Sequence, residues 1–268
     1  MSTALRSAIA DARSGAIPTA EVRPTVRTVV ELGRVEARRL IRHPAFWLGP
    51  IFGLLLFRGA IGAGNDADLA LNLGWLTGGT AISLLVGTVL TANVAALRSR
   101  RDRTGELYGS IPSPPEARTL GLLTGVVFGP GAIGMVVGAA AWAAFSRIDD
   151  LAEFTDPFLM AQYLMTVLAL GAMGVGVARW IPSLLGGPLV IVAHVMTGLV
   201  WVAPWIVPTT TEVHVVWHLV YLIAVPVTWI ALALARDRRT SIRFIVAAAA
   251  FAIGVTAVVL QAPPGGGY

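Results

Sequence analysis

Apolar residues in this chain gather into long blocks separated by short polar stretches. Most blocks reach the roughly 20 residues that an α-helix needs to cross a hydrocarbon core about 30 Å thick. They predict spans at about residues 45–63, 69–97, 119–145, 157–179, 184–207, 215–235 and 244–261. The segment before them follows a different rule. Between residues 25 and 43, Val26, Val29, Val30, Gly33, Ala37, Leu40 and Ile41 recur at helical spacing. Arg27, Glu31, Arg34, Arg38, Arg39 and Arg42 take the remaining directions. That pattern predicts an amphipathic helix lying along the membrane interface, although a solvated linker helix has the same periodicity. His43-Pro44 should end it, because a residue before proline disfavours the α region. Residues 1–24, with no sustained apolar run, read as a loose cytoplasmic tail, and 263–268 as a disordered one. The expected fold is thus all-α: a polytopic transmembrane bundle of about seven spans (44–262) behind an N-terminal amphipathic interfacial helix (25–43).

Composition agrees with lipid as the main solvent. Of 268 residues, 56% are hydrophobic and 13% charged, with a mean hydropathy of +0.74. A soluble domain of this size needs a larger charged shell. Charge then sets the orientation. The 20 basic residues are all arginine, and with the N-terminus inside only Arg58 and Arg147 fall on the outer side. The positive-inside rule therefore places the N-terminus in the cytoplasm and, with an odd number of spans, the C-terminus outside. Most of these arginines flank apolar blocks, so the net charge of +5 reads as a topology signal and not as a nucleic-acid surface.

Two absences exclude chemistry. Without lysine the chain has no Walker A loop and no Schiff base. Without cysteine it has no disulfide, thiolate nucleophile or cysteine metal site. No cofactor is expected on this chain. His214 and His218 are four apart, but HVVWH lacks the glutamate of a zincin helix, and interfacial hydrogen bonding is the plainer reading. Asn93, Gln162 and His194 are the polar side chains inside apolar blocks that are candidates for a translocation path. For His194 a buried imidazole hydrogen-bonded to a neighbouring helix is the alternative. Arg58 can snorkel to the outer headgroups. Gly49/Gly53, Gly125/Gly129 and Gly134/Gly138 have the small-xxx-small spacing of closely approaching helices.

The loop 98–118, RSRRDRTGELYGSIPSPPEAR, is the most polar stretch beyond the tail. Thr104–Tyr108 can start a short helix that Ile111-Pro112 ends, exposing Leu107, Tyr108 and Glu106 for docking on a soluble partner. Its arginines by themselves require only a cytoplasmic loop.

Two segments together resemble the type-2 ABC transporter permeases. RLIRHPAFW before the first span looks like their connecting helix. RDRTGELYGSIPSPPEART resembles their block between the second and third spans, matched here by Thr104, Gly105, Glu106, Leu107 and Pro112. HLVYL followed by ARDRR and one more apolar block resembles a seven-span actinobacterial branch, whereas six spans are commoner in the family. The resemblance covers residues 30–260 in layout, and its specific motifs about thirty of them. It implies a bacterial plasma (inner) membrane exporter subunit that pairs with a second permease chain. It further implies two copies of a separate ABC ATPase, which carry the ATP and Mg. Arg103, Thr104, Gly105, Glu106, Leu107, Tyr108 and Pro112 would then make the contact with that ATPase. Spans 1, 2 and 5 would line the cargo route, and the 179–187 turn offers a second contact. An ion-gradient-driven transporter is the alternative, weakened by the absence of an acidic residue within any predicted span. An intramembrane enzyme is a third, for which no catalytic cluster is legible.

Overall fold

The computed structural model describes residues 25–61, 84–98, 114–145, 158–196 and 215–261, and every regular element among them is helical. In chain order these are α1 (Val26–Arg42), α2 (Pro44–Ile61), α3 (Leu84–Arg98), α4 (Pro115–Val126), α5 (Ala132–Phe145), α6 (Phe158–Trp180), α7 (Gly186–Met196), α8 (Val215–Asp237) and α9 (Ser241–Gln261). A π-helical turn, Val127–Gly131, joins α4 to α5 without a break. Among the described residues, three stretches are long and apolar enough to cross a membrane: Pro115–Val137, Val216–Asp237 and Ser241–Leu260. Leu84–Arg98 and Leu164–Trp180 are shorter apolar helices. The chain is a helical membrane protein. The first part of the expected span 69–97, the outer part of 184–207 and both tails lie outside the described residues.

Local chemistry explains several helix ends. At the start of α1 the Thr25 hydroxyl accepts from the Thr28 N–H at 3.2 Å, satisfying one orphan donor of the first turn. His43 is extended between α1 and α2, as its position before Pro44 requires, and its Nδ1 accepts from Ala45 N at 3.2 Å. α4 begins at Pro115, before the expected start at 119, because proline suits a first helical position whose N–H is unused anyway. α8 runs through Asp237 and α9 starts at Ser241, so Arg236, Asp237 and Arg243 sit on helix ends and only 238–240 form the turn. The π turn falls at Pro130, whose ring would collide with the Val126 carbonyl in a regular α-helix.

α1 packs closely against α4 and the π turn. A Cβ on Gly121 would lie 2.7 Å from Leu32 Cβ. One on Gly125 would lie 2.8 Å from Glu36 Cβ, and one on Gly129 3.0 Å from the Ala37 carbonyl oxygen. From the other side, a Cβ on Gly33 would meet Thr124 at 2.5 Å. The contacts advance along both helices in the same sense, so α1 runs beside α4 and its small residues Gly33 and Ala37 are buried there. The main core is built from α1, α3, α4, α6 and α8, through Leu40, Val89, Leu122, Val126, Val167, Leu170, Met173 and Ala233. α9 stands apart: it packs chiefly on α8, through Ala257, Val258 and Gly254, and exposes Phe251, Ile253, Val255 and Val259.

Candidate functional site

Charged side chains of six helices gather, in two groups, at the end of the bundle that carries most of the described arginines. Thr119, in α4, donates its hydroxyl to Asp237 Oδ2 at the last residue of α8, and Arg179 of α6 stands 3.8 Å from the other carboxylate oxygen. The Asp237 side chain is 7% exposed. A carboxylate at a helix C-terminus is opposed by the helix dipole, and burial raises its cost further. Arg179 and the Thr119 hydroxyl offset both. Beside it, Arg243 in the first turn of α9 pairs with Glu116 in the first turn of α4 at 3.3 Å. The same guanidinium donates to the carbonyls of Leu234 and Arg238, closing the C-terminus of α8. Glu116 itself sits at a helix N-terminus, where negative charge is favoured.

A second group joins α1 to α3. Glu36 accepts from Arg98 Nη1 at 3.4 Å and from Arg39 Nη1 at 2.9 Å. Arg98 is the last described residue of α3, and Pro114 and Pro115 open α4, so the described chain on either side of residues 99–113 stands at this polar end. Each side is fastened: one to α1 through Glu36, the other to α8 and α9 through Thr119 and Glu116.

The turn after α6 is fixed by a buried amide. Asn93 is 1% exposed, and its Nδ2 donates to the carbonyls of Ser183 and Leu184, each at 3.2 Å. Gly186 and Gly187 leave the room for it, since a Cβ on either would stand 3.3 Å from Asn93 atoms. Trp180 Nε1 donates to the Leu232 carbonyl at 3.0 Å, and the Arg236 guanidinium lies 5.8 Å from the Trp180 ring centre. Ile181, Leu184 and Leu185 are left exposed on this turn.

Of the residues singled out from sequence, Asn93 of α3 is therefore placed against the α6–α7 turn. Gln162 falls on α6 and His194 on α7 by position. His218 is buried in α8 with its ring 6.2 Å from that of Tyr221. Arg103, Thr104, Gly105, Glu106, Leu107, Tyr108 and Pro112 lie outside the described residues, as does His214. The structure adds Glu36, Glu116, Thr119, Asp237 and Arg243, none of which the sequence marked as a site, and it gives Arg179, at the start of the expected 179–187 contact, a partner in Asp237. The available signal was an acidic residue set among arginines, as in Ala235-Arg236-Asp237-Arg238. Among the described residues no three metal-binding side chains converge. Comparison with protein-family models, with curated proteins and with solved structures finds no match.

Proposed function

We propose that this protein is the membrane-spanning subunit of an ATP-driven exporter, working in the bacterial inner membrane with a separate ATPase. The observation that carries the reading is the fastening of the chain on either side of the 99–113 loop. A push on that loop would reach α1 through Arg98–Glu36, and α8 and α9 through Thr119–Asp237 and Glu116–Arg243. Such an arrangement suits a chain that receives mechanical work. The absence of lysine supports it, because the phosphate-gripping loop must then belong to another polypeptide. On this reading the bundle has seven spans, N-terminus inside, and α1 stands at the inner boundary. Two such chains pair, and two ATPase subunits dock on Glu106 and its neighbours. Their closure rocks the helices and moves an amphiphilic or hydrophobic cargo outward.

Glu106→Arg is the test. Transport-coupled ATP hydrolysis should be abolished while membrane insertion and yield stay normal; unchanged transport would remove the coupling role. Co-purification of an ATPase with the tagged full chain checks the partner directly.

A second reading, an ion-gradient-driven transporter, draws on Asp237: a nearly buried carboxylate shared between a hydroxyl and a guanidinium has the chemistry of a cation or proton site. Transport that collapses with an ionophore, ignores vanadate and is lost in Asp237→Asn would favour that class instead.

A further inference from the structure

The outward face of α1 is arranged unlike its buried one. Arg34, Arg38 and Arg42 lie at i, i+4 and i+8, which sets them in a single line along the helix, and none of the three is buried. The two carboxylates of α1 are engaged elsewhere: Glu31 with Arg27 at 2.9 Å, and Glu36 with Arg39 and Arg98. None of the three arginines has an ion pair with a described residue. Their opposite face is taken by the glycine contacts with α4, which fix the line pointing away from the bundle.

The groups that follow Arg42 along the chain point to the surroundings of this line. The exposed Trp47 donates its indole N–H to the Ile41 carbonyl at 2.7 Å, so the ring lies against the end of α1. Then Leu48, Ile51 and Leu55 present an exposed apolar face at i, i+3 and i+7 along α2. Basic residues, then an indole, then bare aliphatic side chains is the order of groups met in passing from lipid headgroups through the interface to hydrocarbon. Aliphatic residues exposed in that order fit acyl chains, and the arginines beside them fit phosphodiester headgroups.

We propose that Arg34, Arg38 and Arg42 form a headgroup-binding line that recruits anionic phospholipid to the inner boundary of this protein. The line is three guanidiniums long, each able to hold a phosphate oxygen pair, and it discriminates by net headgroup charge: phosphatidylglycerol is retained, phosphatidylcholine is not. Such a line requires only that the chain be a membrane protein, and it stands or falls apart from any ATPase partner.

The chain has no cysteine, so Val35→Cys, on the exposed side of α1 between the arginines, gives a unique label position in the full-length protein. A fluorophore there is read in phosphatidylcholine vesicles doped with nitroxide-bearing phosphatidylglycerol or nitroxide-bearing phosphatidylcholine. Phosphatidylglycerol should quench more strongly at equal mole fraction, and high salt should shrink the difference. The preference should vanish in Arg34→Gln/Arg38→Gln/Arg42→Gln and persist in the triple Arg→Lys variant, which keeps the charge. Should the triple glutamine variant fail to insert, Arg38→Gln alone is expected to cut the preference by up to about fivefold, the worth of one arginine at an anionic surface. Equal quenching by the two lipids would overturn the proposal, as would a preference that survives the glutamine substitutions. Loss of the preference on adding excess inorganic phosphate at constant ionic strength would overturn it too, by showing a site for the free anion.

Discussion

α4 and α9 are both apolar helices that open at the arginine-rich end of the bundle, yet they occupy opposite situations. In α4 and the π turn that extends it, 44% of the spanning window is buried; in α9 the share is 22%. Apolarity does not separate them. What does is the kind of small residue and the company of the first turn. α4 and the π turn carry Gly121, Gly125 and Gly129 on one face, each occupied by α1, and the opening turns of α4 hold Glu116 and Thr119 against α8 and α9. α9 offers mainly alanines to α8 and bare side chains elsewhere. A glycine face brings two backbones together and makes a helix central, whereas an alanine face lets it lean on one neighbour. α9 is an outlying helix fastened at its base by Arg243.

Substitution at the glycine face should break this comparison most strongly. Gly125→Leu puts a branched side chain where even a Cβ would stand 2.8 Å from Glu36 Cβ and 3.1 Å from Ala37 N. Backbone cannot yield as a side-chain end can, so α1 must leave α4. The expected loss is about 3 kcal/mol or more, at the upper end for overpacking, seen as a collapse of the thermal transition in detergent. In α9 the counterpart, Gly254→Ala, meets only Ala224 Cβ at 3.3 Å and should shift the same transition little. Equal losses at the two positions would show that α9 is as tightly held as α4.

The sequence shows half of each of these contacts. Gly125 and Gly129 announce a thin helix face by their spacing alone. Their partner is not announced, because spacing does not say which helix is thin enough to fit. It proves to be Glu36, Ala37 and Ile41 of α1, on a helix face that the periodicity alone sets against lipid and that packs against protein in the structure. Asn93 is conspicuous as an amide in an apolar block, but the carbonyls it holds, on Ser183 and Leu184, are some ninety positions away in the chain. The acidic members of the polar end are hidden by their neighbours: Glu116 and Asp237 sit among arginines, where a topology signal accounts for the whole cluster. Only folding reveals that each carboxylate has its own guanidinium. The pattern of apolar blocks makes the helical class legible, since lipid demands helices whatever their partners.

The ion pairs give the next largest effect. Asp237→Ala leaves Arg179 without the described carboxylate and Thr119 without its acceptor, in surroundings where the Asp237 side chain is 7% exposed. Breaking a buried pair on one side costs about 3 kcal/mol, and the destabilised variant should unfold at visibly lower temperature. Asp237→Asn keeps an acceptor for Thr119 and should recover part of that loss. Full stability in Asp237→Ala would mean that the α4–α8 junction is held by packing alone, and that α4 differs from α9 only in its glycines.

The smallest effect belongs to the free side of α9. Phe251 is 64% exposed on a helix whose other side rests on α8. In water such a ring would be a liability, but acyl chains solvate it as well as protein would, so removing it forfeits little. Phe251→Ala should change stability by less than about 0.5 kcal/mol, the range of substitutions away from any packed or bonded feature. The same substitution would matter only if another surface covered this face. A loss above about 1 kcal/mol that disappears on dilution of the protein in detergent would therefore mean that α9 has a protein neighbour on its outer side, and that its isolation in the single chain is completed by assembly.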